Sequence, residues 1–146
     1  MREGAEQSAC PFCLLNDPDV TVFADALVQA LVSRAPINRY HVIIVPRAHL
    51  ERFAEVPAAT MAAVVSVAQR IGSAIALAAT PDGITYITDD DLTGRGYNLV
   101  AHWKLHVIAR FRDEAVRIDW ARTEDPGPTV RASLAADIRR HLPPPL

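Results

Sequence analysis

The chain has little net charge, and it lacks the composition of a protein that binds large polyanions. Its 146 residues include 15 Lys and Arg against 17 Asp and Glu, which gives a net charge of −2, and half of the residues are hydrophobic. A strongly basic chain would favour nucleic acid or an anionic membrane surface, and a poorly hydrophobic one would favour disorder. The sequence therefore predicts a folded domain with no nucleic-acid or membrane partner.

The sequence shows no internal repeat, no secretory signal and no obvious apolar segment long enough to cross a bilayer. We therefore expect a cytoplasmic protein. A chain of this length can bury one modest core. We predict one domain over residues 1–142, followed by a proline-rich tail at residues 143–146.

Cysteine is scarce: the chain has only Cys10 and Cys13, in the segment Cys-Pro-Phe-Cys. Such a pair can be a disulfide, a redox centre or half of a zinc site. A redox centre of the thioredoxin type needs a preceding strand, and only a short polar stretch precedes Cys10. A reducing compartment disfavours a disulfide. We interpret the cysteines as zinc ligands, with further ligands drawn from His41, His49, His102, His106 and His141.

The segment from His102 to Ile108 reads His-Trp-Lys-Leu-His-Val-Ile, with polar and apolar residues in alternation. In a β-strand, His102, Lys104 and His106 would share one face, and the apolar residues between them would share the other. Taken alone, this pattern is typical of an amphipathic strand with a solvated polar face. Its functional interpretation depends on the rest of the chain.

Three motifs together resemble those of the histidine-triad (HIT) family. The first is the Cys-x-x-Cys pair. The second runs from Pro36 to His49, where a proline, a short loop, a histidine and an apolar strand precede Pro-Arg-Ala-His. The third is the His-x-Lys-x-His segment, in which Lys104 replaces the middle histidine of the family's triad. Three ordered motifs over residues 10–110 are much less frequent by chance than any one of them.

The resemblance implies a structural zinc ion bound by Cys10, Cys13, His49 and His102. A Cys₂His₂ set fills a tetrahedral coordination sphere and leaves no position for a reactive water. The resemblance also implies an α+β fold, in which an antiparallel sheet is accompanied by one long helix and a C-terminal helix. It further implies a homodimer.

Local patterns agree with such a fold. Apolar runs bounded by turn residues predict strands, an alanine-rich stretch beginning at Pro57 predicts a long helix to about Ala79, and the end of the chain predicts a surface helix over Thr129 to Leu142. The predicted strands are Val20 to Phe23, Ala26 to Val32, Val42 to Val45, Ile84 to Thr88, and Asn98 to Ala109.

Lysine at the middle position of the triad changes the expected chemistry. In HIT enzymes the middle histidine attacks the α-phosphorus of a nucleotide and forms a nucleotidyl-imidazole intermediate. An ordinary lysine, with a pKa of about 10.4, is protonated at neutral pH and is a poor nucleophile. We therefore expect Lys104 to bind a phosphate or another anion. We also expect it to lie in a surface pocket, where its loss would leave the fold intact.

The resemblance places further residues around Lys104. It groups His41 and His106 with Lys104 as candidate catalytic residues, although His106 is more readily a structural residue that braces the backbone. Ser33 takes the position of the family's ribose-binding acidic residue, and Arg39 lies in a loop that normally carries Pro-Gly. Tyr97 and Asn98 replace a Gly-Gln pair, and Asn98 keeps an amide for phosphate. These departures leave the ligand open between a nucleotide and another phosphorylated or anionic molecule.

Three functions remain open on the sequence. The first is a degenerate HIT-like protein that binds a nucleotide or another phosphorylated or anionic small molecule without hydrolysing it. The second is an enzyme of altered mechanism, a nucleotidyl hydrolase or transferase that uses Lys104. The third is a structural zinc dimer or protein-interaction module.

Overall fold

The computed structural model describes residues 9–34, 36–93, 98–115, 127–130, 132–133 and 139. The contacts divide the chain into two units, Met1–Val116 and Arg117–Leu146. The sheet and the candidate site belong to the first unit. In the second unit, the described residues from 128 onward are helical, in agreement with the predicted C-terminal helix where it is described.

The first unit is built on five strands. They are β1 (Thr21–Ala24), β2 (Val28–Val32), β3 (His41–Pro46), β4 (Gly83–Thr88) and β5 (Leu105–Arg110). All neighbouring strands are antiparallel, and their order across the sheet is β1-β2-β3-β5-β4. With the long helix described below, this sheet confirms the predicted α+β fold.

Asp25 shapes the turn between β1 and β2. Its Oδ1 atom accepts hydrogen bonds from the backbone N–H groups of Leu27 (2.8 Å) and Val28 (2.9 Å). This is an Asx-turn, in which a carboxylate takes the place of a backbone carbonyl. Because the turn includes Ala26 and Leu27, β2 begins at Val28 and not at Ala26 as predicted.

Among the described residues of the first unit, two helices of four residues or more and a short 3₁₀ turn accompany the strands. Helix α1 is Pro11–Leu14, the 3₁₀ turn is Phe53–Glu55, and helix α2 is Ala58–Ala79. Pro57 has an extended backbone (ψ 147°) and forms the N-cap, so α2 begins one residue later than predicted. Thr80 ends the helix in the left-handed conformation (φ 45°), and its N–H donates to the carbonyl of Ala76.

One face of α2 packs on the sheet. Its buried residues recur every three or four positions, as expected for an amphipathic helix on a core, and they are Thr60, Val64, Val67, Ala68, Ile71, Gly72 and Ile75. The rest of the helix is rich in alanine and exposes Val65 and Leu77. The helix therefore leaves an apolar face exposed in the single chain.

Helix α2 corrects the expectation that no segment is long and apolar enough to cross a bilayer. It has 22 residues and a mean hydropathy of 1.6 in its most apolar window, which is sufficient by length and composition alone. In the folded chain, however, it covers the sheet through its buried face. Of its most apolar window, 33% is buried in the folded chain, and length and composition alone do not make the helix a membrane span.

The two faces of the sheet have different roles. The face toward α2 holds the hydrophobic core, with Val42 and Ile44 from β3, Val107 and Ala109 from β5, and Trp103 from the segment before β5. Side chains alternate along a strand, so the residues between these point away from the helix. The opposite face therefore carries His41 on β3 and His106 on β5.

Strand β5 begins at Leu105, and the predicted start at Asn98 is wrong. Within the preceding segment, the N–H of His102 bonds to the carbonyl of Val100 at 2.8 Å, which is a local turn and not a sheet ladder. The N–H of Trp103 bonds to the carbonyl of Leu50, outside the sheet. The alternating pattern thus extends beyond the strand, and its first half, His102 to Lys104, lies in a loop.

Candidate metal centre and lysine site

Four side chains converge at one end of the sheet, and all four were predicted as ligands. Cys10 precedes helix α1, Cys13 lies within it, His49 follows β3, and His102 precedes β5. Their ligand atoms all lie within 4.8 Å of one another. The Sγ atom of Cys10 is 3.4 Å from Nδ1 of His102, and the Sγ atom of Cys13 is 3.3 Å from Nδ1 of His49.

These distances fit a tetrahedral metal ion. With metal–sulfur bonds of about 2.3 Å and metal–nitrogen bonds of about 2.0–2.1 Å, sulfur and nitrogen ligands of zinc lie about 3.5 Å apart. The third short contact, from Cys13 Sγ to His102 Nδ1, is 3.6 Å. The donor set and its spacing therefore suit a Cys₂His₂ metal centre.

Both histidines present the same ring nitrogen to this centre. Nε2 of His102 lies 3.0 Å from the carbonyl oxygen of Pro46, and Nε2 of His49 lies 3.7 Å from a carboxylate oxygen of Glu51. The Glu51 oxygen is too far from Nε2 of His49 for a hydrogen bond. A proton on Nε2 of His102 faces an acceptor at hydrogen-bond distance, so its Nδ1 has a lone pair free for a metal. Such outer partners orient metal-binding histidines and fix their tautomer.

The thiols must lose protons before they bind metal. Burial, and secondarily the neighbouring Cys10, raise the pKa of the Cys13 thiol to about 11 when no metal is bound. A metal ion that enters the cluster therefore displaces a proton, so its affinity rises with pH.

Lys104 is buried, which corrects the expectation that it lies in a surface pocket. Only 4% of the residue is exposed. Its ammonium donates to the side-chain oxygen of Asn98 and, at 2.9 Å, to the carbonyl of Val100. On another side the nitrogen lies 5.6 Å from the centre of the Phe12 ring, within cation–π range.

The pKa of Lys104 is lower than the ordinary value assumed from sequence. Burial lowers it to about 8, and negative charge at Cys10 and Asp89 partly opposes the shift. Desolvation disfavours the charged form of a buried amine, which explains the direction.

His41 and His106 form a buried pair on adjacent strands. The backbone N–H of Ile37 donates to Nδ1 of His41 at 3.0 Å, so the proton of neutral His41 is on Nε2. That Nε2 lies 2.9 Å from Nδ1 of His106 and donates to it. Burial lowers the pKa of His41, and burial with the nearby His41 and Lys104 lowers that of His106 to about 4.

The remaining predicted site residues are less closely grouped. Ser33 is buried, and its backbone N–H donates to the carbonyl of His41 at 2.9 Å. Arg39 is exposed, with its guanidinium 5.2 Å from the centre of the Tyr40 ring. The side-chain nitrogen of Asn98 donates to the carbonyl of Asp91 at 3.3 Å. Tyr97 lies outside the described residues.

His102, Lys104 and His106 therefore do not lie on one face, as they would if they belonged to one continuous strand. His102 faces the cysteines, Lys104 faces Asn98 and Val100, and His106 faces His41. They divide between a metal centre and an adjoining lysine–histidine site.

Several functional contacts were not found from sequence. Phe12 and Val100 contact Lys104, the carbonyl of Pro46 lies 3.0 Å from Nε2 of His102, and Glu51 lies 3.7 Å from Nε2 of His49. Glu51 follows His49 by two residues, a signal that could have been used. No local pattern marks Val100, because a backbone carbonyl is available at every residue.

An open groove of about 370 Å³ lies beside the metal centre. Its walls include Cys10, Pro11 and His49 on one side and Leu99 and Val100 on the other. Lys104 is not part of its lining.

The HIT domain profile matches residues 15–113. The chain belongs to the HIT family. It is 28% identical, over 103 residues, to an uncharacterized HIT-like protein of Mycobacterium tuberculosis, covering 68% of this chain and 69% of that protein. That relative is itself described as uncharacterized, so it adds no activity to the assignment.

Solved structures of similar fold agree with the family. One is a histidine triad nucleotide-binding protein from Candida albicans, with a TM-score of 0.74, 18% identity, and coverage of 90% of this chain and 96% of that one. Another is a Zn-bound histidine triad family protein from Mycobacterium smegmatis, with a TM-score of 0.64, 23% identity, and coverage of 92% and 99%. At identities of 18% and 23%, this structural similarity establishes the fold alone.

Proposed function

We propose that this HIT protein binds a phosphorylated or other anionic small molecule at Lys104, and that it does so without the family's covalent histidine chemistry. The observation that carries the proposal is a buried ammonium with neutral hydrogen-bond partners. Among the described residues Lys104 forms no salt bridge, and Asn98 and Val100 supply uncharged oxygens. A buried cation without a paired anion is costly, and an incoming anion lowers that cost.

The two histidines of the lysine–histidine site add no negative charge that would repel an anion. His41 and His106 are neutral at pH 7, because burial lowers the pKa of each. Neutral imidazoles donate hydrogen bonds without adding negative charge. To admit a ligand, Lys104 exchanges the Val100 carbonyl for an oxygen of that ligand, at little loss of hydrogen bonding.

The family resemblance puts Lys104 in place of the nucleophilic histidine. With lysine there, the site has no imidazole at the position that would accept a nucleotidyl group. Ser33 and Arg39 replace residues that position the nucleotide in the family. We therefore extend the proposal to ligands beyond simple nucleotides, with a phosphate or carboxylate group as the common feature.

We also propose that the metal is structural zinc. Two thiolates and two imidazoles are the ligands that zinc prefers in closed structural sites. The similar protein from M. smegmatis is described as Zn-bound. When bound, the ion would join α1 to the segments that follow β3 and precede β5. This role does not require it to take part in chemistry.

A homodimer in the cytoplasm completes the proposal. The exposed side of α2 carries Val65 and Leu77, and Leu77 is 87% exposed. An interface on this side of α2 would bury these exposed apolar side chains. A second copy of the chain is the partner that the family resemblance implies.

A second candidate is a purely structural zinc protein, favoured by one observation. Both hydrogen bonds of Lys104 are made within the chain, as in a structural lysine that holds a loop. This candidate predicts that no anion binds at Lys104.

Thermal shift assays on zinc-loaded protein separate the two candidates. AMP and inorganic pyrophosphate should each raise the melting temperature of the wild type through binding linkage. Lys104→Met should lose this shift, whereas Arg70→Met, which removes a cation stacked on Phe23, should keep it. An equal shift in Lys104→Met would place the anion elsewhere. No shift in the wild type would favour the structural candidate.

A further inference from the structure

Phe12 connects the two parts of the candidate site. It lies between the metal-binding cysteines Cys10 and Cys13, so its position depends on how those residues are held. Its ring packs edge-on against the ring of His102, with centroids 5.7 Å apart. The same ring lies beside the ammonium of Lys104, 5.6 Å from its centre.

The backbone of Phe12 is held from the sheet side. The buried Gln29 on β2 donates a side-chain hydrogen bond to the carbonyl of Phe12 at 3.0 Å. A metal ion bound by Cys10 and Cys13 would fix the residues on both sides of Phe12. The ring is therefore held in place by one contact to β2 and by two flanking ligands.

Lys104 is enclosed between Phe12 and the segment of Asn98 and Val100. It is also the only lysine among the 15 basic residues of the chain, because the other 14 are arginines. Apart from the N-terminal amine, Lys104 thus carries the only primary amine in this sequence. Its accessibility can be measured without interference from other lysines.

We propose that metal binding at Cys10 and Cys13 seats Phe12 over Lys104 and thereby controls whether the amine can be reached. Phe12 is then a positioning residue that couples the metal centre to the lysine site. Coupling between two sites is reciprocal, so an anion that displaces Phe12 from Lys104 weakens metal binding by the same factor. This inference rests on the proposed metal centre and on the proposed role of Lys104 as the anion-binding group.

Acetylation of Lys104 by an N-hydroxysuccinimide ester, followed by peptide mass spectrometry, tests the coupling. At one fixed pH, Lys104 should react at least tenfold more slowly in zinc-loaded wild type than after treatment with EDTA. Circular dichroism on the same samples reports whether the chelated protein remains folded.

If the protein unfolds when zinc is removed, Lys104 reacts faster for a trivial reason. Variants compared with zinc bound avoid this problem. Phe12→Leu should react at least fivefold faster than wild type, and Phe12→Tyr, which restores a ring, should again be slow. Phe53→Leu is the matched control, because Phe53 is an exposed phenylalanine that packs on Trp103. It should react like wild type.

Equal rates for wild type and Phe12→Leu, with zinc bound in both, would overturn the coupling. So would a zinc-loaded wild type that reacts as fast as a folded, chelated one. The labelling needs no anion, so its outcome is independent of whether AMP or pyrophosphate binds. A failure of the proposed function would be detected in the thermal shift assay, and a failure of the coupling would be detected in the labelling experiment.

Discussion

His41 donates its Nε2 proton to Nδ1 of His106 across 2.9 Å, between two neighbouring strands of the sheet. The donor role of His41 follows from the N–H of Ile37, which occupies its other nitrogen. His106 must therefore keep Nδ1 unprotonated and carry its own proton on Nε2. The pair is ordered only while both rings are neutral, because a protonated His106 would place two N–H groups face to face.

This pair makes the stability depend on pH. Burial lowers the folded-state pKa of His106 to about 4, below its unfolded value of about 6.5, so the unfolded chain binds more protons in that interval. The stabilising contribution is complete above pH 6.5 and is lost as the pH falls toward 4. Between pH 7.5 and pH 5, we expect His106 to account for a loss of about 2 kcal/mol.

Urea denaturation of wild type and His106→Gln at both pH values measures this effect. Release of zinc at low pH affects both proteins, so the readout is the difference between them. That difference should shrink on acidification. A difference that is constant from pH 7.5 to pH 5 would show that His106 titrates normally.

The metal centre predicts about one zinc ion per chain after purification. Cys13→Ser replaces one thiolate with a poor ligand, and the loss of metal should lower the melting temperature strongly because metal binding and folding are coupled. Elemental analysis and thermal denaturation give the two readouts. Ser73→Ala, on the exposed side of α2, is the control and should retain both values. A fully folded wild type free of metal contradicts the centre.

The burial of Lys104 predicts a cost when it is replaced. Lys104→Met keeps the length of the side chain but leaves the oxygens of Asn98 and Val100 without their donor, which should lower the free energy of unfolding by about 1–3 kcal/mol. Arg39→Met removes an exposed cation and should change it by less than about 0.5 kcal/mol. Urea denaturation at saturating zinc compares the two, and equal, small effects would mean that the ammonium is solvated.

The exposed face of α2 predicts self-association. Leu77→Glu puts a charge on this apolar face and should convert a dimer into a monomer, as measured by light scattering at micromolar concentration. Val22→Glu changes another exposed apolar residue, on β1 (51% exposed), and should leave the dimer intact. A wild-type monomer mass under these conditions excludes the dimer.

The sequence predicted the elements well where local pattern and tertiary structure agree. The strands up to β4 and helix α2 have strong apolar periodicity, and their bounds are correct to within a few residues. The segment before β5 shows the limit of this reasoning. Alternation between Asn98 and Lys104 imitates a strand, but hydrogen bonds to Val100 and Leu50 replace the ladder. Hydrophobic periodicity indicates which side chains are buried, but it does not indicate which groups the backbone hydrogen-bonds to.

The candidate site was predicted unevenly for a related reason. Cysteine has few roles, so the Cys-x-x-Cys pair indicated a metal site, and the resemblance to the HIT family selected His49 and His102 from the five histidines. The structure brings these four residues together. The environment of Lys104 could not be predicted in this way. Its neighbours are a backbone carbonyl, an amide and the Phe12 ring, and only the folded chain brings these together. The sequence therefore suggested an exposed lysine where a buried one is found.

The proposal that an anion binds at Lys104 without histidine-type turnover is tested most directly with adenosine phosphoramidate as substrate. The experiment measures turnover and the intact mass of the protein on the same samples. Zinc-loaded wild type should release AMP negligibly and form no nucleotidyl adduct, and Lys104→His should gain at most partial activity because Ser33 and Arg39 still position a nucleotide poorly. Rapid wild-type turnover that disappears in Lys104→Ala would contradict the claim and make the lysine a catalyst. Turnover that survives in Lys104→Ala would place the active site elsewhere.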